Sequence, residues 1–126
     1  MADGRQHQAF AAVFPVRDVA RGIDFFTRHL GFVEEFRYGD PLEYAILDGD
    51  AVSVHAMRVA RDLELIGRSS IYVFVANVDA LHDELTGRGC PMEVAPEDFP
   101  YGMREMSARD LDGNRVTFGQ EIKRAT

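Results

Sequence analysis

The chain has a single cysteine, Cys90, and no tryptophan. One thiol excludes an intramolecular disulfide and any thiolate-rich metal site. It stands in Gly89-Cys90-Pro91, just after a predicted helix and with no base beside it, and reads as a small apolar filler. No apolar run approaches the roughly 20 residues that span a bilayer. The opening residues, Met1 to Gln8, are polar and lack the apolar segment of a signal peptide. A cytoplasmic location and no membrane partner are therefore expected. Positive charge is also in deficit: 14 Lys and Arg face 21 Asp and Glu, a net charge of −7. The basic residues are scattered singly, so no phosphate-binding patch forms and nucleic acid is not an expected partner. An acidic surface favours a cationic ligand instead.

What the chain does have is an apolar fraction of 46% and the length of one ordinary domain, residues 1–126. It also reads as one unit written twice. The first copy, about residues 9–59, opens on the strand-like run Phe10–Val16. A helical stripe follows, with Val19, Ile23, Phe26 and Leu30 recurring every three or four residues. Asp18 is its cap and Gly31 its stop. The second copy, about 69–121, repeats the order: the β-rich run Ile71–Val75, the cap Asn77, the stripe Val78, Leu81 and Leu85, and the stops Gly87 and Gly89. Three strands follow each helix, at Phe32–Tyr38, Leu42–Asp48 and Val52–Met57, then at Pro91–Ala95, Met103–Arg109 and Arg115–Gln120. Asp48-Gly49 and Asp112-Gly113-Asn114 mark the matching hairpins. A segment rich in proline and aromatic residues, Pro96–Gly102, reads as an inserted loop. The expected fold is thus α+β, built of two βαβββ modules that pair as cupped mixed sheets with helices outside.

These strings resemble the vicinal oxygen chelate superfamily of glyoxalases, bleomycin-resistance proteins and dioxygenases. Val16-Arg17-Asp18-Val19 leading into Phe25–Phe32 looks like its opening, and Val78–Leu81 with Asp110–Asn114 like its second module. Tyr101-Gly102-Met103-Arg104-Glu105, with Phe118-Gly119-Gln120, is similar to the bleomycin-resistance branch. The resemblance implies a homodimer with a cleft near each subunit boundary, and exposed strand edges that need covering agree with that.

The enzymes of this superfamily hold one divalent metal with His, Glu or Gln. Carried onto this chain, the ligand positions fall on Ala11, Ser70, Thr117 and His55. Ala has no donor atom, hydroxyls are poor ligands, and one imidazole does not hold a metal against water. No metal, no cofactor and no catalytic residue are therefore expected. The other histidines stand away from this position: His7 in a polar tail, His29 at the end of the first helix with no cleft near, and His82 on the solvent face of the second helix. Strand alternation puts His55 with Ser53 and Met57, and Thr117 apart from Val116 and Phe118, on the face turned from the helices.

The residues expected to contact a ligand are Phe36, Tyr38, Tyr44, His55, Phe99, Tyr101 and Arg104, as ring stackers and hydrogen-bonding partners. The function implied is sequestration of a small molecule, bleomycin-like or another aromatic natural product and, where charged, cationic. That is the antibiotic-resistance role of the branch. The alternative is a glyoxalase- or dioxygenase-like enzyme that uses a divalent metal, or metal-free acid–base residues with Glu105 beside His55. A stand-alone interaction module with a packed, vestigial cleft is the third reading.

Overall fold

A computed structural model describes Gly4 and residues 6–122. Eight strands form two four-stranded sheets. The first contains β1 (Ala12–Val16), β2 (Val33–Tyr38), β3 (Tyr44–Gly49) and β4 (Val52–Arg58), in the order β1-β4-β3-β2. The second contains β5 (Ser70–Phe74), β6 (Met92–Phe99), β7 (Met103–Arg109) and β8 (Arg115–Glu121), in the order β5-β8-β7-β6. In each, the first strand runs parallel to the last, and the other pairings are antiparallel. Two mixed sheets with the same internal order are the duplicated unit expected from the repeat.

Helix α1 (Val19–Asp24) starts where Asp18 accepts the Ala20 N–H at 2.9 Å. It widens into a π-helical turn over Phe25–His29. Helix α2 (Val78–Gly87) starts at Asn77, whose side chain accepts from the Ala80 N–H at 3.0 Å. The predicted stripes are the buried ones: Val19, Ile23, Phe26 and Leu30 in the first copy, Val78 and Leu85 in the second, with Leu81 half-buried. They close on Phe14, Val16, Leu47, Val54 and Ala56 from one sheet and on Met106, Ala108, Val116 and Phe118 from the other. Cys90 is buried in the same core, and burial raises its thiol above the ordinary value, as suits a filler. Each sheet is thus covered on one face by its helix and left open on the other.

The modules are stitched by one buried side chain. Asn114 has no exposed surface; its amide N–H groups donate to Pro15 O at 3.0 Å and to Asp110 Oδ2 at 2.8 Å, and its Oδ1 accepts from the Ser69 N–H at 3.0 Å. The Ser69 hydroxyl adds a bond to Val13 O at 2.9 Å. Asp110 in turn accepts from the backbone of Asp112 and Asn114, closing the hairpin turn before β8. Burial raises its carboxyl above the usual range, and the Asn114 bonds pull against that shift.

One element departs from expectation. Pro96–Phe99 belongs to β6 and not to an inserted loop, so only the turn after Phe99 is free of the sheet. Two register shifts, between Met92 and Val94 and between Val94 and Glu97, absorb the extra residues. Because β6 is an edge strand, Pro96 interrupts no inner ladder.

Candidate functional site on the open sheet faces

Alternation sorts the strand residues without ambiguity. Val54 and Ala56 are fully buried under α1, so His55, between them, faces the open side together with Ser53 and Met57. Tyr44 and Ile46 on β3, and Tyr38 and Phe36 on β2, register with Met57 and His55 and share that face. These side chains make a hollow of about 460 Å³ lined by Phe36, Tyr38, Glu43, Tyr44, Met57 and Arg58. Phe36 is 50% exposed and Tyr38 61%, so neither ring is spent on the core. Beside the hollow, the Tyr44 hydroxyl and His55 Nδ1 share a hydrogen bond of 2.6 Å, with the two rings set edge to face.

The open face of the second sheet is built differently. Met106 and Ala108 are buried on the helix-covered side, so Glu105 and Ser107 take the opposite face, in register with Gly119 and Thr117; Ser107 is itself buried there, its hydroxyl donating to Glu93 at 3.2 Å. Glu93, Val94, Phe99, Glu105, Met106, Ser107, Arg115 and Thr117 line a smaller hollow of about 200 Å³, in which Arg115 pairs with Glu93 at 3.0 Å. Tyr101, in the turn after β6, stacks on Phe99 with ring centroids 5.5 Å apart. The Glu105 carboxylate accepts from Tyr72 at 2.7 Å on one oxygen and from Tyr101 at 2.8 Å on the other. Partial burial, and then the carboxylate itself, push the Tyr72 phenol well above its ordinary value. The bond to Glu105 raises Tyr101 in the same direction. Both hydroxyls are therefore donors at neutral pH and not bases.

Of the residues expected at the site, the structure brings Phe36, Tyr38, Tyr44 and His55 together on one open face and Phe99 and Tyr101 on the other. Arg104 it does not. Arg104 registers with Gln120, in the same alternation as buried Met106, and so points to the helix-covered side. There it forms an ion pair with Asp79 of α2 at 3.0 Å and with Asp98 at 2.9 Å. It braces α2 and β6 and offers nothing to the open face. Glu105, considered as a partner for His55, lies on the other sheet. Tyr72, a candidate for the cleft wall from the sequence, joins Glu105 on the second face, whereas Gly119 carries no sequence signal as a site residue. His29 also differs from expectation, since it lines a hollow of about 240 Å³ with Phe25, Pro91 and Leu111.

The donor set can be tested against a superfamily metal. Ala11, Ser70 and Thr117 bring at most two hydroxyls, and the outward residues in register with His55 and Thr117 are Val13 and Tyr72. His55 Nδ1 is already occupied by Tyr44. Among the described residues no three His, Cys, Asp or Glu side chains gather as a metal site. The residues present do not fit a divalent ion.

Comparison with known proteins agrees with this architecture. The family model for the Glyoxalase/Bleomycin resistance protein/Dioxygenase superfamily matches residues 7–118, and the chain belongs to that superfamily. Among solved structures it is similar to TioX from Micromonospora sp. ML1, at 22% identity over 91% of this chain and 99% of that one, with a TM-score of 0.76. It is similar also to the bleomycin-binding protein of bleomycin-producing Streptomyces verticillus, complexed there with copper(II)-bleomycin, at 24% identity over 95% and 99% of the two chains and a TM-score of 0.75. TnmS3, an antibiotic binding protein from Streptomyces sp. CB03234, aligns at 20% identity over 93% and 99%, with a TM-score of 0.70. No curated protein matches the sequence. Among the described residues no helix is long and apolar enough to cross a membrane.

Proposed function

We propose that this protein binds an aromatic small molecule, of the kind represented by bleomycin and related antibiotics, and holds it without altering it. The observation that carries the reading is the exposure of aromatic rings on both open faces, next to a donor set that suits no metal. Phe36, Tyr38, Tyr72 and Tyr101 are 40–63% exposed, on the faces their helices leave bare. Apolar surface of that kind marks a binding face rather than a packed core. Similarity in fold to antibiotic-binding proteins supports the same reading. A homodimer that sets the open face of one module against that of a partner's other module would enclose the two hollows as a single cleft.

An acid–base enzyme would rest on the Tyr44–His55 hydrogen bond. Its other acid–base candidates weaken it, because the phenol of Tyr72 is raised too far to serve as a base and Glu105 sits on the second sheet. The deciding experiment is a calorimetric titration of chelator-treated protein with metal-free and with copper-loaded bleomycin. The expected result is saturable binding near one ligand per chain, with recovery of unmodified ligand by mass spectrometry. Chemical conversion of the ligand, or no heat with either form, would sink the proposal.

A further inference from the structure

The smaller hollow on the second module holds Glu105, a carboxylate without an ion-pair partner among the described residues, beside Arg115 and Glu93, which pair with each other. We propose that Glu105, with the aromatic rings that converge on it, is a subsite for an organic cation, an ammonium or guanidinium group carried by the bound molecule. This rests on the ligand-binding role proposed above for the open faces, and it names the chemistry that one half of the site selects.

The subsite is assembled across three strands. Tyr72 starts on β5 and must cross β8 to reach Glu105 on β7. It crosses at Gly119, the residue in register with Glu105, where a Cβ would overlap the Tyr72 hydroxyl. Tyr101 reaches the other carboxylate oxygen from the far side. Each oxygen thus takes one phenol and keeps a lone pair for a further donor. Phenols orient the carboxylate but bring no positive charge to it.

The basic residues nearby, Arg115 of the same hollow included, are each paired with another carboxylate. Arg104, next in sequence, points through the sheet to Asp79 and Asp98. Arg109 and Arg115 both pair with Glu93. Among the described residues no Lys, Arg or His comes within ion-pair distance of Glu105. A second carboxylate worsens the imbalance: Glu97 stands directly opposite Glu105 in the β6–β7 register, on the same face. Like charges placed opposite each other on a sheet repel, and a bound cation relieves that repulsion.

The walls suit the same guest. Tyr72 pairs with Phe74 at a centroid distance of 5.0 Å, and Tyr101 stacks on Phe99. Tyr72 and Tyr101 touch the carboxylate and Phe99 lines the hollow, so a cation would find both an ion-pair partner and aromatic faces. The volume of about 200 Å³ admits a substituted ammonium group but not a whole antibiotic.

The test uses choline and its neutral carbon isostere 3,3-dimethylbutan-1-ol, titrated separately into the isotope-labelled full chain and followed by amide NMR shifts. Choline is expected to shift Phe99, Glu105 and Gly119 saturably and to bind at least tenfold tighter than the alcohol. Glu105→Gln should weaken choline about tenfold and leave the alcohol unmoved. Should that variant fail to fold, added sodium chloride provides the second reading on the native chain, because it should weaken choline and spare the alcohol. Equal affinity for the two probes, indifference of choline to the variant or to salt, or no binding of either would overturn the subsite. Bleomycin binding alongside any of those results would leave the sequestration reading standing; choline binding as expected without bleomycin binding would leave the subsite standing and remove that reading.

Discussion

The two modules share a covered face and differ on the open one. Under the helices, both follow one plan: a capped helix lays an apolar stripe over alternate residues of its sheet, and those residues are almost wholly aliphatic or aromatic. On the open side, module one presents Phe36, Tyr38, Tyr44, His55 and Met57 around a wide hollow, whereas module two presents Glu105 clasped by Tyr72 and Tyr101 over a narrow one. The two copies agree in what folds the unit and differ on the faces that fold nothing, one offering stacking surface and the other charge.

That contrast orders the effects of substitution. Phe26 is fully buried and packs against Phe14, Phe25 and Phe32, so Phe26→Ala should cost about 3–5 kcal/mol in chemical denaturation. A smaller loss would mean the covered face is looser than described. Asn114→Ala strips the junction of three side-chain bonds, taking a donor from Pro15 O and from Asp110 Oδ2 and the acceptor from the Ser69 N–H. It should cost about 2–3 kcal/mol. Separate unfolding transitions for the two halves would sharpen the point, by showing that this side chain makes them one cooperative unit.

Open-face substitutions should act on binding and spare stability. Tyr101→Ala removes a ring that is 63% exposed, and should weaken bleomycin binding about two- to tenfold in calorimetry, with little change in melting temperature. An unchanged affinity would remove Tyr101 from the site. Arg104→Ala should do the least. Its partners Asp79 and Asp98 are largely exposed, so the melting temperature should fall by roughly a few degrees at most and ligand affinity should hold. A large loss of affinity there would return Arg104 to the site and break the division between faces.

Much of this was legible in the chain because it is local. Caps, stripes and period-two alternation decide which way a side chain points from a few residues of context, and they placed His55 and Thr117 outward and Val116 and Phe118 inward. The same alternation was available for Arg104: Met106 and Ala108 mark the covered parity of β7, and Arg104 shares it. Its charge suggests a site residue, but its parity in β7 places it on the covered side. What no local pattern carries is the register between strands distant in sequence. The Tyr72–Glu105 contact spans 33 positions and depends on Gly119 lying between them, a coincidence of parallel and antiparallel pairings that appears only once the sheet is assembled. The bulges that turned Pro96–Phe99 into strand are of the same kind, since they answer to the partner strand and not to the segment itself.

The most direct test of the account is to map, by backbone amide shifts, where metal-free bleomycin touches the labelled protein. Perturbations should gather on β3, β4, β7 and β8 around Tyr44, His55, Glu105 and Gly119, while the exposed faces of α1 and α2 should stay silent. Shifts concentrated on the helices, or no shifts at saturating ligand, would contradict it.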